Sequence, residues 1–91
     1  MRELNWKQAA KADFFTIVEF IADDNISAAQ QLKDLIETKT LMLVTHPELY
    51  RSGRVAGTRE MVVHPNYIVV YTASDTEVLI LRVLHAAQQW P

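Results

Sequence analysis

Arg59-Glu60-Met61-Val62-Val63-His64-Pro65-Asn66-Tyr67-Ile68-Val69-Val70-Tyr71-Thr72 is the stretch on which the fold turns. Val, Ile and Tyr dominate it, residue types that fit a pleated surface. His64-Pro65-Asn66 interrupts it with a proline that cannot donate to a sheet ladder. The pattern predicts a strand over residues 59–63, a turn over 64–66 and a second strand over 67–72. Ala73-Ser74-Asp75-Thr76 reads as another tight turn, and Glu77 to Leu84 as a third strand. Connections this short imply an antiparallel meander. Val78-Leu79-Ile80-Leu81 is apolar at consecutive positions, as in a central strand covered on both faces.

Upstream of Pro47 the period changes. Ala10, Phe14, Ile17, Val18 and Ile21 recur at helical spacing and predict a helix over residues 8–22. Phe15 and Phe20 lie off that stripe, and Lys7 is a poor N-cap. Asp23-Asp24-Asn25 favours a cap or turn because these side chains bond nearby backbone N–H groups. A second apolar face (Ala28, Ala29, Leu32, Leu35, Ile36, Met42, Leu43) predicts a helix over residues 26–45, stopped by Pro47, which disfavours a helical His46. Leu4 and Trp6 alternate with polar neighbours and predict a short strand between Arg2 and Trp6. The result is an α+β order, β-α-α-β-β-β: an antiparallel sheet of four strands with a helical hairpin packed on one face. Phe14, Ile17, Ile21, Leu32, Leu35, Ile36, Val62, Val70 and Ile80 are the expected core. Residues 47–58 read as a loop that holds both glycines, Gly53 and Gly57.

Composition bounds the function. The 91 residues form a single expected domain over 1–91. Apolar residues make up 49% and charged residues 22%, the balance of a globular chain and not of a disordered one. Cysteine is absent, which excludes disulfides and thiol chemistry. No apolar run approaches the roughly 20 residues of a membrane helix. The opening residues lack the basic-then-apolar plan of a signal peptide, so a cytoplasmic location away from membranes is expected. The formal net charge is −2, whereas proteins that hold nucleic acid by its phosphates carry a basic excess. Beyond residue 44 all four cations are arginine, a set suited to bidentate contacts.

Candidate chemistry lies in that second half. His46, His64 and His85 lack metal-ligand spacing, no glycine-rich phosphate loop is present, and no cofactor or metal is expected. An arginine/histidine group remains. Arg59 on the first meander strand and Arg82 on the last could both point to the uncovered face of the sheet, with His85 just beyond. Arginine stabilises a phosphorane-like transition state and histidine moves a proton, the parts of a metal-free ribonuclease. Ion pairing of Arg59 and Arg82 with Glu48, Glu60 or Glu77 is the plainer explanation. Tyr67 and Tyr71 share a strand face, as packing residues or base-stacking platforms. Trp90 is expected to fold back onto the body, since a bare indole would be an exposed apolar patch.

Leu4-Asn5-Trp6, Ala10-x-x-Asp13, Asp24-Asn25 before Ala28-Ala29, and His46-Pro47-Glu48-Leu49 together resemble RelE/ParE-type toxins of bacterial toxin–antitoxin modules. Gly53-Arg54-Val55-Ala56-Gly57-Thr58-Arg59-Glu60, Tyr67-Ile68-Val69-Val70-Tyr71 and Ile80-Leu81-Arg82-Val83-Leu84-His85-Ala86-Ala87-Gln88-Gln89-Trp90-Pro91 carry the resemblance further. It spans essentially the whole chain. It implies a growth-inhibiting toxin of a plasmid-stabilisation type, neutralised in a hetero-oligomer by a cognate antitoxin. Two targets follow from it. ParE-like members inhibit DNA gyrase. RelE-like members cut mRNA on the ribosome, and on that reading Arg59, Arg82 and His85 are catalytic while Arg54 and Tyr67 bind substrate. The absence of lysine beyond Lys39, the absence of tyrosine beyond Tyr71 and the net charge favour the gyrase reading. A third possibility is a non-toxic domain kept for antitoxin binding.

Overall fold

A computed structural model describes residues 2–91. Its elements are β1 (Glu3–Trp6), α1 (Gln8–Asp24), α2 (Ile26–Met42), a one-turn 3-10 helix (Pro47–Leu49), β2 (Arg51–Ser52), β3 (Arg59–His64), β4 (Tyr67–Ala73) and β5 (Glu77–His85). The sheet runs β1-β5-β4-β3-β2. The α+β order and the helical hairpin are as expected, and Ala10, Leu32, Ile36 and Leu43 of the hairpin pack onto Met61, Val63, Val69, Tyr71, Val78, Ile80 and Val83 of the sheet.

The helix ends follow from local chemistry. Lys7 caps α1 without a side-chain bond. One residue, Asn25, joins the two helices. Its N–H donates to the Ile21 carbonyl, and its side chain accepts from Ala28 N–H at 3.0 Å. Asp23 and Asp24 therefore stay helical. The second helix stops at Met42, three residues before the expected end. Leu43 and Val44 donate to carbonyls three residues back, a tightening that turns the chain before Pro47 is reached.

The sheet differs from expectation in two places. β2 to β5 are antiparallel, but β1 pairs with β5 in parallel, with Glu3 opposite Glu77 and Trp6 opposite Ile80. A tight turn forces opposite directions only on the strands it joins, and β1 meets its neighbour after the whole helical hairpin. The fifth strand is β2. Arg51 and Ser52, read as loop, pair with Glu60 and Arg59.

One core assignment is corrected. Val62 is 48% exposed and Val63 is buried in its place. The pleat sends Met61 and Val63 toward the helices and Val62 to the other face. Val70 is buried, but on that second face, with Ile68 and Leu84. There Leu81, Ala86 and Trp90 cover it, so the tail does fold back. Phe14, Ile17 and Ile21 are partly buried against the main core, and Leu35 is half-buried.

Tyr71 ties the core to the 3-10 turn. It is fully buried, and its hydroxyl donates to the Pro47 carbonyl. Burial pushes its phenol up from 10.0 to about 12, against a smaller opposing effect of Arg59. The folded state therefore holds a proton that an unfolded tyrosine releases. The resulting stabilisation is complete below pH 10.0 and is lost as pH rises toward about 12. Urea midpoints across that interval should fall in the wild type, and Tyr71→Phe should flatten the fall. At neutral pH the same variant should cost about 1–2 kcal/mol, because the Pro47 carbonyl loses its donor.

Candidate functional site

The last strand is irregular where it matters. Between β4 and β5 the register shifts, with Val70 opposite Arg82 but Tyr71 opposite Ile80, so β5 carries one extra residue. The bulge lies just past the end of β1, whose pairing stops at Trp6 opposite Ile80. Asp13 of α1 fills the edge left open. Its Oδ2 accepts from Val83 N–H at 3.0 Å and from Arg82 Nε at 2.7 Å, and its Oδ1 accepts from Arg82 Nη2 at 3.0 Å. This is a two-point guanidinium–carboxylate fork, the strongest geometry such a pair adopts. Both partners are mostly withdrawn from solvent, with side chains 31% and 17% exposed. The hydrogen bond to Asp13 holds the Arg82 guanidinium above its usual pKa. Arg82 is thus held by α1 at the strand edge, not displayed on the open sheet face as expected.

Arg59 sits elsewhere. It lies opposite Tyr71 on β3 and donates to the carbonyls of Tyr50 at 2.6 Å and Glu48 at 3.4 Å. It lines a cleft with Arg2, Pro47 and Ser74, on which neither Arg82 nor His85 borders. Neither arginine pairs with Glu48, Glu60 or Glu77 through a carboxylate. Two of those side chains have other roles: Glu77 accepts from Asn5, and Glu60 binds Arg51 and Arg54.

Tyr67 and His85 do meet. They are cross-strand partners with ring centroids 5.6 Å apart, and His64 lies at the same distance on the other side of Tyr67. With Thr16, Ile17 and Phe20 of α1 and Gln88 of the tail, Tyr67 and His85 line a cavity of about 380 Å³, which Asp13 also borders. The His85 Nδ1 accepts from Ala87 N–H at 3.2 Å, and the His64 Nδ1 accepts from Asn66 N–H at 3.0 Å. With Nδ1 accepting, Nε2 is the ring nitrogen that each imidazole has left to offer.

Arg54 belongs to neither group. Its guanidinium lies 3.5 Å from Glu60 and donates to the Gln88 carbonyl at 3.1 Å. The structure therefore joins Tyr67 to His85 at a cavity that Asp13, the partner of Arg82, also borders; Arg59 lies apart, and Arg54 reaches the cavity only through the Gln88 carbonyl. Asp13, Phe20 and Glu60 escaped the reading of candidate residues. Asp13 had a signal, since a carboxylate between Ala10, Phe14 and Ile17 on an apolar stripe needs a cationic partner. Among the described residues no cluster of histidine and carboxylate groups suits a metal ion, and no helix is long and apolar enough to cross a membrane.

Comparison with known proteins agrees with this fold. A sequence family described as the ParE toxin of the type II toxin–antitoxin system parDE matches residues 4–90. Toxin RelE2 of Caulobacter vibrioides is 34% identical over 88 residues, covering 97% of this chain and 99% of that protein. The Y4kP protein of Sinorhizobium fredii is 35% identical over 91 residues, covering 99% and 94%. Among solved structures, the chromosomal ParDE toxin–antitoxin system from P. aeruginosa superposes with a TM-score of 0.81 at 19% identity, covering 93% of this chain and 96% of that one. The E. coli DinJ–YafQ complex gives a TM-score of 0.61 at 18% identity with full coverage of both chains, 100% each. At such identities the structural matches speak for the fold.

The Asp13 network sets an expected stability effect. Asp13→Ala strips acceptors from both Arg82 and the Val83 amide and should cost about 1–3 kcal/mol in urea unfolding. Asp13→Asn keeps one acceptor oxygen and should cost less. Equal and negligible losses in both variants would show that the fork carries no stability.

Proposed function

Since the chain belongs to the ParE toxin family of type II toxin–antitoxin systems, we propose that it arrests growth by binding DNA gyrase, and that a cognate antitoxin silences it. One observation carries the choice of target. The side chains that a ribonuclease would converge on a phosphate are committed to other partners. Arg82 is forked onto Asp13, Arg59 is bonded to two backbone carbonyls, and the His85 Nδ1 is occupied by Ala87 N–H. A poison that works by binding needs no such convergence, because a few anchors in a broad contact dominate its energy. The net charge of −2 fits a protein partner better than a site within ribosomal RNA.

The antitoxin reading has physical support as well as the likeness to the ParDE and DinJ–YafQ toxin–antitoxin systems. β2 covers β3 only at Arg59 and Glu60, so the outer edge from Met61 to His64 pairs with no strand among the described residues. An open edge accepts an extended segment by backbone hydrogen bonding. Phe15, Phe20 and Ile26 are 68%, 75% and 76% exposed on the helical hairpin and offer apolar anchors.

The RelE-like alternative is favoured by one feature, the meeting of Tyr67 and His85 at a cavity. Purified protein mixed with gyrase and supercoiled plasmid should accumulate enzyme-linked DNA breaks, while mRNA on programmed ribosomes stays intact. Cleavage of that mRNA, abolished by His85→Gln, would overturn the gyrase reading in favour of the nuclease. Co-expression with the adjacent small reading frame should restore growth and give a copurifying complex. A toxin that no neighbouring gene suppresses would contradict the antitoxin assignment.

A further inference from the structure

The loop between β2 and β3 is more heavily built than a connection requires. Gly53 N–H donates to the Thr58 carbonyl at 2.8 Å, and Thr58 donates to the Val55 carbonyl from both its N–H (3.1 Å) and its hydroxyl (2.6 Å). Gly57 adopts a φ of +83°, a conformation that costs other residues dearly. A Cβ at Gly53 would meet the Thr58 hydroxyl at 2.2 Å, so only glycine lets the loop close. Inside the closed loop lies Glu60, a charged side chain only 3% exposed. It accepts from Arg54 N–H at 2.9 Å and pairs with the guanidiniums of Arg51 at 3.2 Å and Arg54 at 3.5 Å. A buried carboxylate of this kind fixes its partners, since leaving any charge unpaired is costly.

Among the described residues, Arg54 makes the one hydrogen bond that leaves residues 53–58 for another part of the chain beyond Glu60: Nη1 donates to the Gln88 carbonyl at 3.1 Å. Gln88 in turn is closed onto His85. Its N–H donates to the His85 carbonyl at 2.9 Å, and its side-chain oxygen accepts from His85 N–H at 3.4 Å. Ala86 N–H donates to the Asn66 carbonyl, and Trp90 rests on Ile68, Val70 and Leu84. Gln88 and His85 both line the cavity beneath Phe20.

We propose that the Gly53–Glu60 loop is a clamp on the C-terminal segment, in which Arg54, set by Glu60, is a positioning residue that fixes Gln88 and His85 at the α1–sheet cavity, and that growth arrest depends on this placement. The dependence rests on the toxin reading above. The clamp explains why a motif of two glycines, a threonine, an arginine and a glutamate stands together: each glycine and the threonine close the loop, Glu60 holds Arg54, and Arg54 grips the tail. Arg54 acts through Gln88 and touches no reactant.

The test uses the full chain, with Trp6→Phe as background so that Trp90 is the only indole. Arg54→Ala should increase acrylamide quenching of Trp90 and speed amide exchange at Ala86 and Gln88 by about tenfold, the equivalent of one lost hydrogen bond to a charged group. Global urea stability should change little, and growth arrest should weaken. Gly53→Ala should reproduce the tail loosening with no charge removed. Arg54→Lys should rescue in part, since one donor replaces a fork. Arg51→Ala removes the other partner of Glu60 without touching the tail and should leave tail exchange as in the wild type. Unchanged exchange at residues 86–88 in both Arg54→Ala and Gly53→Ala overturns the clamp. A loosened tail with full growth arrest overturns its functional role alone. A wild type that arrests nothing overturns the toxin reading itself, and the tail measurements still decide whether the clamp exists.

Discussion

Asp13 is the point at which the two halves of this small protein are joined. One carboxylate on α1 satisfies the backbone N–H that the β5 bulge turns outward and the guanidinium of Arg82 beside it. A chain of 91 residues buries a modest fraction of its surface, so each link between its layers weighs heavily. Apolar packing between the hairpin and the sheet is non-directional. The fork supplies direction, setting where α1 crosses the end of the sheet and hence the shape of the cavity between Phe20 and Tyr67.

The second face of the sheet is managed differently. A sheet with a helical hairpin on one side leaves the other to water, yet Ile68, Val70 and Leu84 there are apolar. The chain covers them with its own last residues, Ala86 and Trp90, and ties that cover down from the β2–β3 loop through Arg54. Both ends of β5 business are thus served by arginine forks or contacts whose charges are consumed internally. Arg51, Arg54 and Arg82 face carboxylates, and Arg59 faces carbonyls. That internal use reconciles an all-arginine second half with a protein that is not basic.

Much of this was legible in the residues. The helical period before Pro47 and the β-branched runs after it specify the element order, because burial of one face imposes a period on each element. The direction of β1 was not legible, since no turn connects it to β5. Nor was β2, two residues long and polar, whose pairing depends on Glu60 and on closure of the Gly53–Thr58 loop. Val62 and Val63 were transposed for a related reason: in a run of adjacent valines the pleat has no polar neighbour to mark its phase. The arginine and histidine positions were found from residue type, but their roles were set by contacts distant in sequence. Arg82 meets a carboxylate 69 residues away and Arg54 a carbonyl 34 residues away. Only the odd Asp13 on the apolar stripe of α1 hinted that a cation elsewhere was already spoken for.

The most direct measurement is growth arrest by a folded variant in which the fork carries no charge. In Asp13→Asn with Arg82→Met, the asparagine oxygen can still accept from Val83 N–H and the methionine fills the space of the arginine stem, a neutral replacement of the kind that proteins tolerate. If Arg82 is an anchor, this double variant folds, by circular dichroism and urea unfolding, and still arrests growth when induced without antitoxin. A double variant that folds as well as the wild type but arrests nothing would contradict the anchor role and return Arg82 to the chemistry of the toxin.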